Sequence, residues 1–476
     1  MATYIGKRDG DRKDGQMSLW AREREGALHR MLLALLILYA VAIPFDDYHF
    51  MSSIGLAAGV CALFLLRGSL CRTSSSRACY VMLTALIVLL VGTTVSFLVN
   101  AADEMSHILH VNINRNSIFG VTVVFAFGFG LREERWVRRL LWLMLSAYGV
   151  FFLFDAMGVL FAVDSWDPDG RFIGSRNLPT VYAMESLQLI SLYLGAAVVV
   201  HDRRASLVLG FGALLSGILL LMTGTRSALL VFALVCVPAV LLVRARSYPF
   251  QKKALLVCVW TFVMVPLLAF GWYGLNPKRR SPITVQSRLG YWRAALALAS
   301  DSSSHTLLVG HGPFPAVFRN ATKQNETAKQ HILEFNQTGH LEPWHAHNDL
   351  IQTFLETGLI GAIALATIWL VAFGCLLSSE RKGRSSPTRP ELSGLFFVAL
   401  VTVAAMSQLD CVLRHQARSH IAWFIVGLAF AHFRLSHPRE HSEDADVQGI
   451  AQPLRLNDRS PRNDTGRASR PRFDPN

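Results

Sequence analysis

The chain has 476 residues, 52% of them hydrophobic and 17% charged, with a mean hydropathy of +0.35. It is too apolar for a soluble protein of this length and too uniform for two ordinary globular domains, so it reads as an all-α polytopic membrane protein. The net charge of +13 would suit nucleic acid, but the basic residues are parcelled out among short loops, which excludes that partner and points to membrane orientation.

Residues 1–27 are charged and lack apolar periodicity, which predicts a disordered leader. The first apolar run follows without a small-residue cleavage site and is expected to stay as a membrane span. About twelve stretches are long and apolar enough, or nearly so, to cross a ~30 Å hydrocarbon core as helices. They are 28–45, 51–66, 79–99, 117–131, 140–163, 180–200, 205–222, 226–243, 254–275, 349–377, 392–409 and 418–433. Five alternate loops, among them RGSLCRTSSSR, REERWVRR and RARSYPFQKK, hold seventeen Lys and Arg, and the five short segments of the other face hold six. The positive-inside bias then makes both termini cytoplasmic. Spans one to nine occupy 28–275, a large outside loop occupies 276–348, and spans ten to twelve occupy 349–435. The tail, 436–476, is polar and rich in Pro and Arg, which predicts disorder.

Seven cysteines lie in or near the spans, with none in the large loop and no CxxC, so neither a disulfide framework nor a thiolate metal site is expected. His107 and His110 are three apart and lack a third ligand. Asp155, in the fifth span, would cost about 2.5–3.5 kcal/mol at the bilayer centre and should face the bundle interior or a wet cavity. The next outside segment carries Arg171 and Arg176, cations on the face that the charge bias otherwise spares. They suit an anionic ligand at the outer surface or, equally well, lipid headgroup phosphates, and Glu185 of the following span could be their partner. In TGTRSALL, Thr223 or Thr225 is expected to cap the eighth span, leaving Arg226 in its first turn. The positive end of the helix dipole repels a cation there unless an anion is bound as well.

In the large loop, ITVQSRLGYWRAALALAS reads as an amphipathic helix along the interface, capped by Thr284 or Ser287, opened by Arg288, with Arg288 and Trp292 as an i,i+4 pair. Beyond LLVGHGPFPAVF the loop has no evident apolar core, and 320–341 reads as polar. Three N-x-T sequons, at Asn320, Asn325 and Asn336, carry no weight without a source. In WHAHNDLIQTFLETGLIG the polar loop ends and the tenth span begins. Asn348 or Asp349 is the N-cap signal, which holds His347 at the membrane rim. Glu356 follows about two turns in, and Gly358 and Gly361 permit close helix approach. The last outside turn, MSQLDCVLRHQ, places Asp410, Arg414 and His415 on the same face.

Topology therefore gathers Arg226, Arg288, His347 and Asp410 at one membrane face. Two arginines at helix starts form an anion site, and an imidazole with a reference pKa of ~6.5 can take a hydroxyl proton near neutrality. A lipid-linked pyrophosphate would supply both the anion and a leaving group whose developing charge the arginines stabilise. His345 and His347 are i,i+2 and point apart, and no metal or other cofactor is expected. The candidate catalytic residues are His347, Arg226 and Arg288. Arg171, Arg176, Arg293 and Asp410 are candidates for binding substrate.

The ordered set TGTRSALL, SRLGYWRAAL, LLVGHGPFPAVF and HAHNDLIQTFLETGLIG resembles the bacterial O-antigen ligase family over roughly residues 170–435. The resemblance implies a metal-independent GT-C type glycosyltransferase of the inner membrane with a periplasmic active site. Its donor would be a glycan on undecaprenyl pyrophosphate and its acceptor a sugar hydroxyl of lipid A–core. By motif, Arg226 and Arg288 look like pyrophosphate-binding arginines and His347 like the base. GRFIGSRNLPT reads Asn-Leu-Pro where the family has Asn-Pro-Asn. The superfamily also holds O-antigen polymerases and O-linked protein oligosaccharyltransferases. A twelve-span secondary transporter is the reading from another class; such proteins show internal repeats and ionisable residues near the midplane.

Overall fold

The computed structural model describes residues 6–45, 48–73, 77–100, 117–161, 172–173, 178–246, 248–274, 283–312, 322–335, 346–382, 390–414 and 416–436, all within the unit Met1–His437. The regular structure among them is helical: α1 Gly6–Ala42, α2 Tyr48–Thr73, α3 Arg77–Asn100, α4 Ser117–Gly130, α5 Glu134–Leu160, α6 Pro179–Val199, α7 Arg203–Thr223, α8 Arg226–Arg244, α9 Phe250–Gly274, α10 Ile283–Ser300, α11 Ser304–Val309, α12 Glu326–Phe335, α13 Asp349–Lys382, α14 Pro390–Leu409 and α15 Gln416–Ser436. Each expected span coincides with a helix. Among the described residues, eight are by length and composition able to cross a membrane, while α2 and α4 contribute the shorter apolar stretches Ser53–Leu65 and Gly120–Gly130. The chain is a multi-pass membrane protein. Helix α1 reaches back to Gly6 through the polar leader, and its Glu25 pairs with Arg132 ahead of α5.

Local chemistry sets the ends. Pro179 starts α6, where a missing N–H costs nothing. Asp202 caps α7 by accepting from the backbone N–H groups of Arg204 and Ala205, and Gly224 closes it in the left-handed region at φ 60°. Helix α8 widens to a π turn over Phe232–Cys236 just ahead of Pro238. In that pattern the Ala233 carbonyl faces the position where proline has no N–H, and the indole of Trp260 on α9 donates to it at 2.6 Å.

Helices α6, α14 and α15 form the centre: 78% and 67% of the apolar windows of α6 and α14 are buried, and residues 419–433 of α15 are buried throughout. Small residues let helices close on one another. A Cβ at Gly120 of α4 would lie 2.1 Å from the Trp423 ring of α15, a contact only glycine permits. Asp155 of α5 is half-buried. Glu185 is fully buried and accepts from the Tyr148 hydroxyl at 2.8 Å.

Helix α13 is broken. Gly358 takes φ 68° and ψ −166° inside it, which releases backbone carbonyls that lipid cannot satisfy. The turn after α11 fills the break: His311 N–H donates to Leu355 O at 2.7 Å and Gly312 N–H to Glu356 O at 3.3 Å. The Ser96 hydroxyl of α3 also donates to Glu356 O, and Asn100 donates to Gly310 O at 3.4 Å. The backbones touch, because a Cβ at Gly310 (φ 86°) would sit 2.3 Å from Glu356 O and one at Gly358 2.2 Å from Leu308 O.

The large loop differs from its expected form. It has a core of its own, in which Ala294, Ala295, Ala297 and Leu298 of α10 pack with Ala328 and Ile332 of α12 and with Ala346 and Leu355. Two apolar residues four apart are enough to seat α12, with Ile332 worth roughly 1.5–3 kcal/mol on burial, but too few to stand out from a polar stretch. Asn325 caps α12 through the Ala328 N–H at 2.9 Å. Helix α10 starts at Ile283, immediately after Pro282, so Thr284 and Ser287 lie inside it and Arg288 stands in its second turn instead of opening it.

Gly358→Ala or Gly310→Ala should lower the stability of the detergent-solubilised protein by at least about 2 kcal/mol, since each adds a Cβ at positive φ against backbone. Thermal unfolding checks this, with Gly217→Ala, which has open space around it, expected to be neutral.

Candidate functional site

Helix α13 begins with a reciprocal set of caps. Asn348 Oδ1 accepts from the N–H groups of Leu350 and Ile351, both at 3.0 Å, as its N-cap position requires. Its amide donates to the Gln408 carbonyl and side chain at 3.2 and 3.1 Å. Both oxygens of buried Asp349 accept from the Leu413 N–H, at 3.1 and 3.0 Å. The start of α13 is thereby tied to the end of α14.

His347 stands just outside that cap with φ 53°, a left-handed conformation uncommon for a residue with a Cβ and one that marks stored strain. The peptide groups before it are held on both sides. The Trp292 indole of α10 donates to Ala346 O at 3.0 Å, and the Ala346 N–H donates to the Gln352 side chain at 2.9 Å. Gln352 in turn donates to Glu356 at 2.7 Å, which anchors the strained residue to the first turns of α13.

The imidazole meets two groups. Its Nδ1 lies 3.1 Å from Asp410 Oδ1, the ring being 29% exposed and the carboxylate 5%; Asp410 Oδ1 also accepts from the Cys411 N–H at 2.8 Å. A carboxylate at Nδ1 selects the tautomer with the proton there and leaves Nε2 as acceptor. The Tyr291 ring stacks on the imidazole, with centroids 5.7 Å apart and planes 15° from parallel. Burial pushes the Tyr291 phenol above its ordinary value, so it stays neutral around pH 7. In the turn after α11, half-buried His311 hydrogen-bonds Ser302 Oγ at 3.0 Å, and burial holds its imidazole below the ordinary value.

The arginines arrive on separate helices. Half-buried Arg288 lies one turn before Tyr291 and Trp292, on the α10 stripe facing the His347 turn. Arg226 is the first residue of α8. Along the antiparallel pair α8 and α14, Val243 lies against Gly394, Ala239 and Cys236 share a cluster with Val398, and Thr402 hydrogen-bonds Cys236. Continued to the start of α8, this pairing brings Arg226 level with Asp410 and Cys411. Thr225 occupies the N-cap position without capping; its hydroxyl donates to Pro179 O at 3.3 Å, joining the starts of α8 and α6.

The structure thus joins His347 to Asp410 and sets Arg288 one helical turn before Tyr291, whose ring stacks on the imidazole; the α8–α14 pairing, continued, brings Arg226 to the level of Asp410. Arg293 is exposed and falls outside the Arg288 stripe. Arg171, Arg176, His345 and His415 lie outside the described residues, although Phe172, next to Arg171, is held by its N–H on Met222 O at 3.1 Å. Sequence reasoning missed Tyr291 and Trp292 as neighbours of His347. Their i+3 and i+4 spacing from Arg288 was the available signal. Sequence reasoning assigned Asp410 to substrate binding and did not foresee its bond to the imidazole.

Residues 211–366 match the family model described as O-antigen ligase. That interval contains Arg226, Arg288 and His347 and stops short of Asp410. No curated protein matches the chain.

Asn348→Ala removes the cap and the tie to Gln408, and is expected to cost about 1–2 kcal/mol. Chemical denaturation of the purified protein in detergent measures this.

Proposed function

From the O-antigen ligase family match over residues 211–366 and the site at the start of α13, we propose that the protein is a periplasmic-face membrane glycosyltransferase. It transfers a glycan from undecaprenyl pyrophosphate to a sugar hydroxyl of lipid A–core, without metal or other cofactor. Twelve spans with both termini cytoplasmic, as the charge bias supports, would put this site at the outer face of the inner membrane. The observation that carries the reading is the His347 to Asp410 hydrogen bond, with the Arg288 helix laid against the same imidazole.

In this reading the acceptor hydroxyl gives its proton to His347 Nε2 as its oxygen attacks C1 of the donor sugar. The bond from C1 to the pyrophosphate oxygen breaks, and the electron pair leaves with the pyrophosphate. Arg226 and Arg288 hold the charge that develops there. Asp410 keeps the imidazole in the base tautomer and balances the imidazolium that forms. Arg226 at the first position of α8 becomes favourable in this setting, because the phosphate also meets the free N–H groups of that helix. Arg171, Arg176 and Arg293 would contact the donor or acceptor further out. An O-antigen polymerase or protein oligosaccharyltransferase would use the same chemistry on another hydroxyl.

His347→Ala should reduce transfer from a purified lipid-linked donor by roughly 10²–10⁴-fold, and Arg288→Ala or Arg226→Ala by roughly 10²–10³-fold. Full transfer by folded, membrane-inserted His347→Ala protein would overturn the base assignment. Supplying lipid A–core, lipid-linked repeat units and a pilin-type protein as competing acceptors identifies the hydroxyl.

A further inference from the structure

About two turns inside α13, Glu356 serves two neighbours at once. Its backbone carbonyl accepts from the Gly312 N–H at 3.3 Å and from the Ser96 hydroxyl, which docks the loop at the helix break. Its side chain, 3% exposed, accepts from the Gln352 amide at 2.7 Å. A carboxyl group this deep in a membrane helix is costly to keep. The break needs only the carbonyl, which any residue supplies, so the side chain is retained for what it does to Gln352.

Gln352 is fully buried, and its amide has one end of each kind. The Ala346 N–H can only donate, so it takes the amide oxygen, at 2.9 Å. The other end then needs an acceptor, and Glu356 supplies it at i+4. A flipped amide would set donor against donor at Ala346 and lose that bond. Glu356 therefore fixes which way Gln352 faces.

The consequence reaches the imidazole. The peptide group ahead of His347 is gripped at Ala346 O by the Trp292 indole at 3.0 Å, and the peptide group before that by Gln352. Asn348 is fixed as the N-cap of α13. Between these holds His347 keeps φ 53°, the conformation in which its Nδ1 lies 3.1 Å from Asp410 Oδ1.

We propose that Gln352 and Glu356 are positioning residues for the base: they hold the Ala346 peptide so that His347 keeps its proton on Nδ1, against Asp410, and presents Nε2 as the acceptor. The assignment rests on the base reading above. Both residues act from inside the bundle, through the backbone, and Glu356 links the docking of the loop to the orientation of the ring.

The first readout is independent of turnover. In nitrogen NMR of full-length, histidine-labelled protein in nanodiscs, at a pH where imidazoles are neutral, the His347 signal is identified by its loss in His347→Ala. It should show the Nδ1–H tautomer. Gln352→Met, of like shape with no polar end, and Gln352→Asn, whose amide is too short to bridge, should each shift it towards the Nε2–H tautomer that histidine prefers in water. Glu356→Met should do the same. Gln352→Glu should also do so, by setting two carboxyl groups 2.7 Å apart. Adding Glu356→Gln to Gln352→Glu should restore the signal, because the new carboxylate accepts from both the Ala346 N–H and the new amide. With a lipid-linked donor, kcat should fall by roughly 10²-fold in Gln352→Met and Glu356→Met, the donor KM should stay unchanged, and the Gln352→Glu/Glu356→Gln pair should recover most of the rate lost in Gln352→Glu.

An Nδ1–H signal that persists in the Gln352 variants or in Glu356→Met overturns the proposal, as does a pair no better than Gln352→Glu alone, or a loss confined to the donor KM. A tautomer that responds as stated in a protein that transfers no glycan would sink the transferase reading and keep the positioning pair. Transfer with an unresponsive tautomer would do the reverse.

Discussion

The arrangement depends on the interruption of α13 at Gly358. A helix running unbroken from Asp349 to Lys382 would need nothing from the loop before it. The interrupted one leaves the carbonyls of Leu355 and Glu356 to be satisfied by the backbone of His311 and Gly312 and by Ser96. Within an apolar bundle those bonds are obligatory, because each orphaned carbonyl costs several kcal/mol in lipid. The loop is therefore fastened to the membrane helices where α11 and α3 meet the break, and glycine at both touching positions lets two backbones come within van der Waals distance.

That fastening has a chemical consequence at the start of α13. With α11 docked on the helix, α10 is also brought against it, and α10 carries Arg288, Tyr291 and Trp292 to the residue ahead of the cap. The Trp292 bond to Ala346, the Gln352 bond from the other side and the Asp410 contact together hold His347 in its left-handed conformation. Strain of about 1–3 kcal/mol persists only where surrounding contacts over-determine it. Here they do so around a single titratable ring. The imidazole is oriented by three separate helices, which limits its rotation more than a loop residue would allow.

The same economy recurs on the Arg226 side. The π turn of α8 shifts register ahead of Pro238, and Trp260 takes up the carbonyl that proline leaves. Helix α8 begins beside the end of α14, so the cation at its first position and the Asp410 carboxylate stand at one level. A negative ligand placed there would face helix N–H groups and guanidinium at once, which would offset an unfavourable local placement.

Much of this was legible in the chain. Each of the twelve apolar runs falls on a helix, eight of them long and apolar enough among the described residues to cross a membrane, because a membrane helix satisfies its own backbone and so must write its length into consecutive residues. The N-cap at Asn348 and the odd placing of Arg226 rested on local rules that hold at any position, whereas Gly358, read as a point of close helix approach, instead breaks α13 against the backbone of Leu308 and Val309. Other features came from residues far apart in number. Ala328 and Ile332 seat a helix that composition reads as polar, and Pro282, overlooked, moves the start of α10 back to Ile283. The pairing of His347 with Asp410 crosses from α13 to the turn after α14, and the Tyr291 stack crosses from α10. Sequence alone determined which apolar segments are helices and which ends carry charge, since both follow from chain-local energetics, but not the polar helix Glu326–Phe335 or the polar start of α1. Only the tertiary structure decided which side chains meet, because contacts between helices depend on register and on a helix break, and neither is written in any one segment.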